Sequence, residues 1–173
     1  MQLNRVITPT GTPRPDALDL SKGKAAPEGA AEMAMRKGRA IILLVDDMAV
    51  NIFLLSKTLG ADDRYFLKSS DGAQALDVLR SVRVSLVISD LRMPNMTGLG
   101  LLREAKKLQP GAGFILMSGG FTPEVRKEAL DLGADALIER PYDTPQLQKV
   151  VAEVIAKHPL EDPPPAELSI NMP

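Results

Sequence analysis

From Ile41 onward the chain alternates short apolar runs with amphipathic segments of helix length, and four of the runs end in acidic, hydroxyl or Arg-Pro groups. The four are 41–45 before Asp46-Asp47, 85–89 before Asp90, 114–117 before Ser118, and 136–138 before Glu139-Arg140-Pro141. Strands alternating with helices argue for βα units and a parallel sheet. In an open sheet of that kind, reactive groups collect just beyond the carboxyl ends of the strands, so residues far apart in sequence converge on one site.

The pattern predicts strands over 41–45, 65–69, 85–89, 113–117 and 135–138, and helices over 50–59, 72–80, 97–108, 123–132 and 144–157. Leu99, Leu102, Ala105 and Leu108 recur at helical spacing. Asp71 and Thr122 suit helix caps, Pro123 and Pro145 suit first turns, and Gly60 and Gly133 suit helix ends. Residues 1–38 are rich in Pro, Gly, Ala and Thr and read as a disordered arm, with a transient helix over 30–37. Residues 159–173 read as a Pro-rich flexible tail. The segment between, 39–158, holds roughly 120 residues and suits one domain. Neither flank has room for a helix-turn-helix or an enzymatic module, so a stand-alone domain acting through protein contacts is expected.

Composition narrows the chemistry. A net charge of −1 and the lack of a Lys/Arg run give no pull toward nucleic acid. With no Cys and a single His, His158, there is no disulfide, thiolate site or His-based triad. No apolar stretch reaches membrane-span length and the N-terminus lacks a signal-peptide pattern, so a soluble cytoplasmic protein is expected, with no membrane insertion.

The motifs that carry the chemistry are Leu44-Val45-Asp46-Asp47, Asn51, Ile88-Ser89-Asp90-Leu91-Arg92-Met93-Pro94-Asn95-Met96-Thr97-Gly98, Met117-Ser118-Gly119, Gly133-Ala134-Asp135 and Arg140-Pro141. By these motifs, residues 40–158 resemble the receiver domain of two-component response regulators. The resemblance implies an α/β, flavodoxin-like doubly wound fold: a five-stranded parallel sheet in the order 2-1-3-4-5 with five helices. It also implies that Asp90 accepts a phosphoryl group, that Asp47 binds Mg²⁺ (or Mn²⁺) directly, and that Asp46 acts on the metal through water. The Arg92 main-chain carbonyl is a further implied ligand. Physical chemistry agrees that three carboxylates sharing one site need a cation, since otherwise they raise one another's pKa values. Taken apart, Asp46-Asp47 also reads as a solvated turn or helix cap, and Asp90 as a strand-end turn former.

In such a family Ser118 moves toward the phosphoryl group on activation, and Gly119 leaves it room. Read alone, both are ordinary loop residues. Arg140 stands where the family usually has Lys. It either neutralises the phosphoryl group or points outward to pair with Glu139 or another acid; the exchange is not conservative, because a planar guanidinium prefers bidentate contacts. Leu137 stands where an aromatic switch residue is usual, and has no polar tip to swing. The Arg140-Pro141 bond is implied to be cis. Arg92 faces the site or is a solvated loop residue, Met93, Pro94 and Met96 shape the loop, and Asn51 caps or braces the first helix.

The implied partners are a histidine kinase or histidine phosphotransfer protein and a downstream protein effector. The helix over 123–132, the fifth strand and the helix over 144–157 form the implied homodimer face. The implied domain is a phosphoacceptor and not an enzyme, beyond autophosphotransfer and autodephosphorylation. A phosphorylation-independent adaptor is the alternative, on the strength of Arg140 and Leu137. An aspartyl hydrolase would place Asp-x-Asp after the first strand, where this chain has adjacent Asp46-Asp47.

Overall fold

The computed structural model describes residues 29–160. Five strands, β1 (Ala40–Val45), β2 (Arg64–Ser69), β3 (Leu86–Asp90), β4 (Gly113–Ser118) and β5 (Ala136–Glu139), form one sheet in the order β2-β1-β3-β4-β5. Every neighbouring pair is parallel. The parallel sheet expected from the βα pattern and the strand order implied by the resemblance are both observed.

β1 is apolar on both faces because both are covered, as parallel sheets require. Ile41, Leu43 and Val45 enter one core with Leu76, Leu101 and Leu102, while Ile42 and Leu44 enter a second with Ile52, Leu55 and Val151. Successive side chains of a strand point to opposite faces, so a single six-residue strand feeds both layers. On the first face lie α3 (Gly72–Ser81), α4 (Gly98–Leu108) and α5 (Pro123–Asp131); on the second lie α2 (Ala49–Thr58) and α6 (Thr144–Lys157).

Helix starts follow from local hydrogen bonding. Asp71 accepts from the Gln74 backbone N–H and Thr122 from that of Val125, which satisfies donors left open in a first turn. Thr97 and Asp143 cap α4 and α6 in the same way. Thr97 thus precedes its helix instead of opening it. Pro123 and Pro145 occupy first-turn positions, and Gly133 follows α5 with φ of 90°.

Among the described residues there are six helices, correcting the expected five. The additional helix, α1 (Ala30–Arg36), falls where the composition reads as a transient helix within the arm. Seven residues are too few to hold a helix in water alone. Here Ala31 and Ala34, three apart on one side, are buried in the first core, and the Arg39 N–H donates to the Ala34 carbonyl at 3.0 Å. Tertiary packing turns a weak local preference into a fixed element. The expectations for 1–28 and 161–173 lie outside the described residues.

Candidate functional site

The strand order reverses between β1 and β3, and a crevice at such a reversal is where open α/β sheets place their sites. Asp46 follows β1 and Asp90 ends β3, so the topology brings the two carboxylates to that point. Both side chains are buried.

Arg140, in the turn after β5, joins them. Its Nη2 lies 3.0 Å from Asp46 Oδ2 and 2.8 Å from Asp90 Oδ1. One guanidinium nitrogen therefore serves two acids from two strands. Of the two orientations open at the sequence level, the structure has the inward one. Glu139 next to it is paired elsewhere, with Arg126 at 2.7 Å.

Asp46 is the most elaborately held. The Met48 N–H donates to Oδ1 at 2.8 Å, and Asn51 Nδ2 lies 3.0 Å from both oxygens. Asn51 is thus a brace for this carboxylate, anchored on α2. Burial pushes the Asp46 carboxyl above its ordinary value, against the opposing pull of the Met48 and Asn51 hydrogen bonds and the Arg140 charge; Asp90 adds to the rise. Desolvation penalises the charged form more than these partners favour it.

Asp90 Oδ2 accepts from the Arg92 N–H at 2.7 Å, which fixes the carboxylate against the loop that follows it. Gly98, the first residue of α4, makes this loop possible. A Cβ there would come within 2.3 Å of the Asp90 carbonyl oxygen and 2.5 Å of a Leu116 methyl. The Gly98 N–H meanwhile donates to the Leu91 carbonyl at 2.8 Å, and Asn95 in the same loop has φ of 68°.

Around this centre the other candidates take up distinct postures. Asp47 is exposed and enters none of these contacts. Ser118 is buried at the end of β4, and its hydroxyl donates to the Gly120 carbonyl at 2.7 Å, inside its own loop. Gly119 is exposed, and a Cβ on it would meet the Arg92 guanidinium at 3.3 Å, so the Arg92 side chain reaches across toward the Ser118 loop. Leu137 is partly buried against the first core. The Arg140-Pro141 peptide is cis. Met93 is buried and Met96 packs beside it in the same core. Asn51 and Gly98 both stand in the sequence motifs; what sequence reasoning did not give is the Asn51 brace on the Asp46 carboxylate and the lack of room for a Cβ at Gly98. The signal for the latter was a glycine opening a helix directly after the Asp90 loop.

The expected donors, Asp46, Asp47, Asp90 and the Arg92 carbonyl, are hard oxygens, the chemistry that Mg²⁺ or Mn²⁺ takes. The burial-raised Asp46 carboxyl is a second mark of fit, since a nearby cation would relieve it. Among the described residues no group of three or more His, Cys, Asp or Glu side chains is gathered closely enough to hold a metal ion. The charge between Asp46 and Asp90 is that of Arg140.

Comparison with known proteins agrees with this geometry. The chain is 33% identical over 117 residues to the transcriptional regulatory protein GlrR of Escherichia coli (strain K12), covering 67% of this chain and 26% of that protein. It therefore spans about a quarter of the length of that regulator. It is 26% identical over 114 residues to the sporulation initiation phosphotransferase F of Bacillus subtilis (strain 168), covering 66% of this chain and 92% of the relative. Among solved structures, the signal receiver domain of an HD domain-containing protein from Pseudomonas fluorescens Pf-5 aligns with a TM-score of 0.66 and 28% identity, over 69% of this chain and 97% of that one. No helix among the described residues is long and apolar enough to cross a membrane. The response regulator receiver domain family model matches residues 42–152, and with the strand order and the paired aspartates in place, the chain belongs to that family.

Proposed function

We propose that this domain accepts a phosphoryl group on Asp90 from a phosphohistidine of a histidine kinase or phosphotransfer protein, and passes the state on through protein contacts. The observation that carries the reading is the placement of Asp90. It is a buried carboxylate at the switch point of the sheet, held by the Arg92 N–H on one oxygen and the Arg140 guanidinium on the other. In the transfer, a carboxylate oxygen of Asp90 attacks phosphorus, a P–O bond forms as the donor's P–N bond breaks, and the electron pair leaves with the imidazole. Such transfers depend chiefly on positioning and charge neutralisation.

Mg²⁺ or Mn²⁺, held by Asp46, Asp47, Asp90 and the Arg92 carbonyl, would supply that neutralisation. Arg140 binds phosphoryl oxygens with its planar fork. Ser118 exchanges its bond to Gly120 for one to the phosphoryl group, and Gly119 leaves room for it. The domain is on this reading a phosphoacceptor and not an enzyme, located in the cytoplasm. Leu137 and Pro141 belong to the readout region, where α5, β5 and α6 form the face for an effector or a second copy. Likeness to a phosphotransferase, 92% of which is covered by the match, supports a phosphorelay role.

A second reading, a phosphorylation-independent adaptor, is favoured by the way Arg140 already satisfies both carboxylates and Ser118 is turned to Gly120. Intact mass after treatment with acetyl phosphate, with and without Mg²⁺, separates the two. The phosphoacceptor reading expects a Mg²⁺-dependent phosphoryl adduct that Asp90→Asn abolishes while its amide spectrum stays folded. No adduct on the native protein, together with no Mg²⁺ binding, overturns it in favour of the adaptor.

A further inference from the structure

We infer that Arg140 is an internal competitor of the divalent cation, so that guanidinium and metal hold the Asp46–Asp90 pair in turn and not together. The inference deepens the phosphoacceptor reading and rests on it. Its basis is the double ion pair from a single nitrogen, 3.0 Å to Asp46 and 2.8 Å to Asp90, with both acids buried. A Mg²⁺ ion demands oxygen ligands at about 2.0–2.1 Å in near-octahedral order. A nitrogen already paired with both carboxylates occupies oxygens that such an ion needs, on Asp90 directly and on Asp46 by way of water.

Arg140 makes no ion pair with any other acid among the described residues, and the adjacent Glu139 is committed to Arg126. The guanidinium that leaves the pair therefore has water, or the oxygens of an incoming phosphoryl group, as its next partner. A lysine in the same place, with a compact ammonium on a flexible stem, would hold the pair less rigidly, because it lacks the fixed planar fork. The Lys-to-Arg exchange thus sets the affinity for metal in the unphosphorylated state, and with it the rate at which the site becomes competent.

The test is Mg²⁺ titration followed by amide NMR on the native protein, Arg140→Met, Arg140→Lys and Arg92→Met. Arg92→Met removes a like charge from the loop after β3, beside the same site, without touching the double ion pair, and keeps the main-chain carbonyl. Competition expects Arg140→Met to bind Mg²⁺ about tenfold more tightly, a factor equal to about 1.4 kcal/mol, with Arg140→Lys in between and Arg92→Met changed less than twofold. In the native protein it expects the Arg140 side-chain N–H resonances, slow to exchange without metal, to become fast-exchanging at Mg²⁺ saturation.

Equal tightening in Arg140→Met and Arg92→Met would reduce the effect to net charge and overturn the inference. Unchanged or weaker binding in Arg140→Met would overturn it too, as would Arg140 N–H groups that stay protected with metal bound. Absence of Mg²⁺-dependent shifts in every folded variant would instead overturn the phosphoacceptor reading on which the inference stands.

Discussion

Gly98 lies against the main chain of Asp90 so closely that a Cβ would stand 2.3 Å from the Asp90 carbonyl oxygen. The start of α4 is therefore pressed onto the strand end that presents the Asp90 carboxylate. The atoms in the way are backbone and a core leucine methyl, neither of which yields as a flexible side-chain tip would.

Gly98→Ala is accordingly expected to destabilise the fold by at least the ~1–3 kcal/mol typical of overpacking. It is also expected to displace the Asp90 loop, slowing phosphorylation by acetyl phosphate. Urea unfolding and the adduct rate by intact mass measure the two effects. An alanine variant as stable as the native protein would mean that α4 slides freely on β3.

Asp46 gives a pH signature. Burial raises its carboxyl above the ordinary carboxylate range, so the folded state holds this proton more tightly than the unfolded chain. The stability it contributes is present in full below the unfolded value and is lost as pH rises through the folded one. In metal-free buffer the native protein should lose stability relative to Asp46→Asn between acid and neutral pH. Paired denaturant titrations across that range check the sign, and a native-minus-mutant difference that grows with pH would contradict it.

His158 sits at the other end of the sheet, where β4 begins. Its Nδ1 lies 2.8 Å from the Gly111 carbonyl oxygen and its Nε2 2.8 Å from Asp135 Oδ1, while Asp135 Oδ2 accepts from the Phe114 N–H at 2.9 Å. The imidazole thus ties the end of α6 to the turn before β4 and the entry to β5. His158→Ala should cost about 1–3 kcal/mol through the two lost hydrogen bonds. Because the site lies at the opposite strand ends, Asp90 phosphorylation at a temperature where the variant is folded should be unchanged. Thermal unfolding and the adduct rate, measured together, separate stability from chemistry.

The βα alternation made the layers legible, because continuous apolar runs such as Ile41–Val45 need cover on both faces. Strand order came from the family resemblance, as local pattern does not say which strands pair. α1 was harder to read: Ala31 and Ala34 form a weak apolar stripe that means something only once the sheet beneath it is known. The convergence of Asp46 and Asp90 was foreshadowed by their places at strand ends. The inward posture of Arg140 was not, because a long side chain's partner is decided by which strand ends surround it. Asn51 and Gly98 were visible as residue types, but the two-oxygen brace and the forbidden Cβ depend on neighbours distant in the chain.

The contact between Arg140 and Asp46 spans 94 positions, from the first strand to the turn after the last. Contacts of such separation close large loops and reward the chain only when most of the structure between them is in place. The charge set between the two buried acids is carried by the turn after β5, so a chain in which β5 is undocked leaves both carboxylates without it. Docking of that edge strand and neutralisation of acids carried by β1 and β3 are therefore coupled.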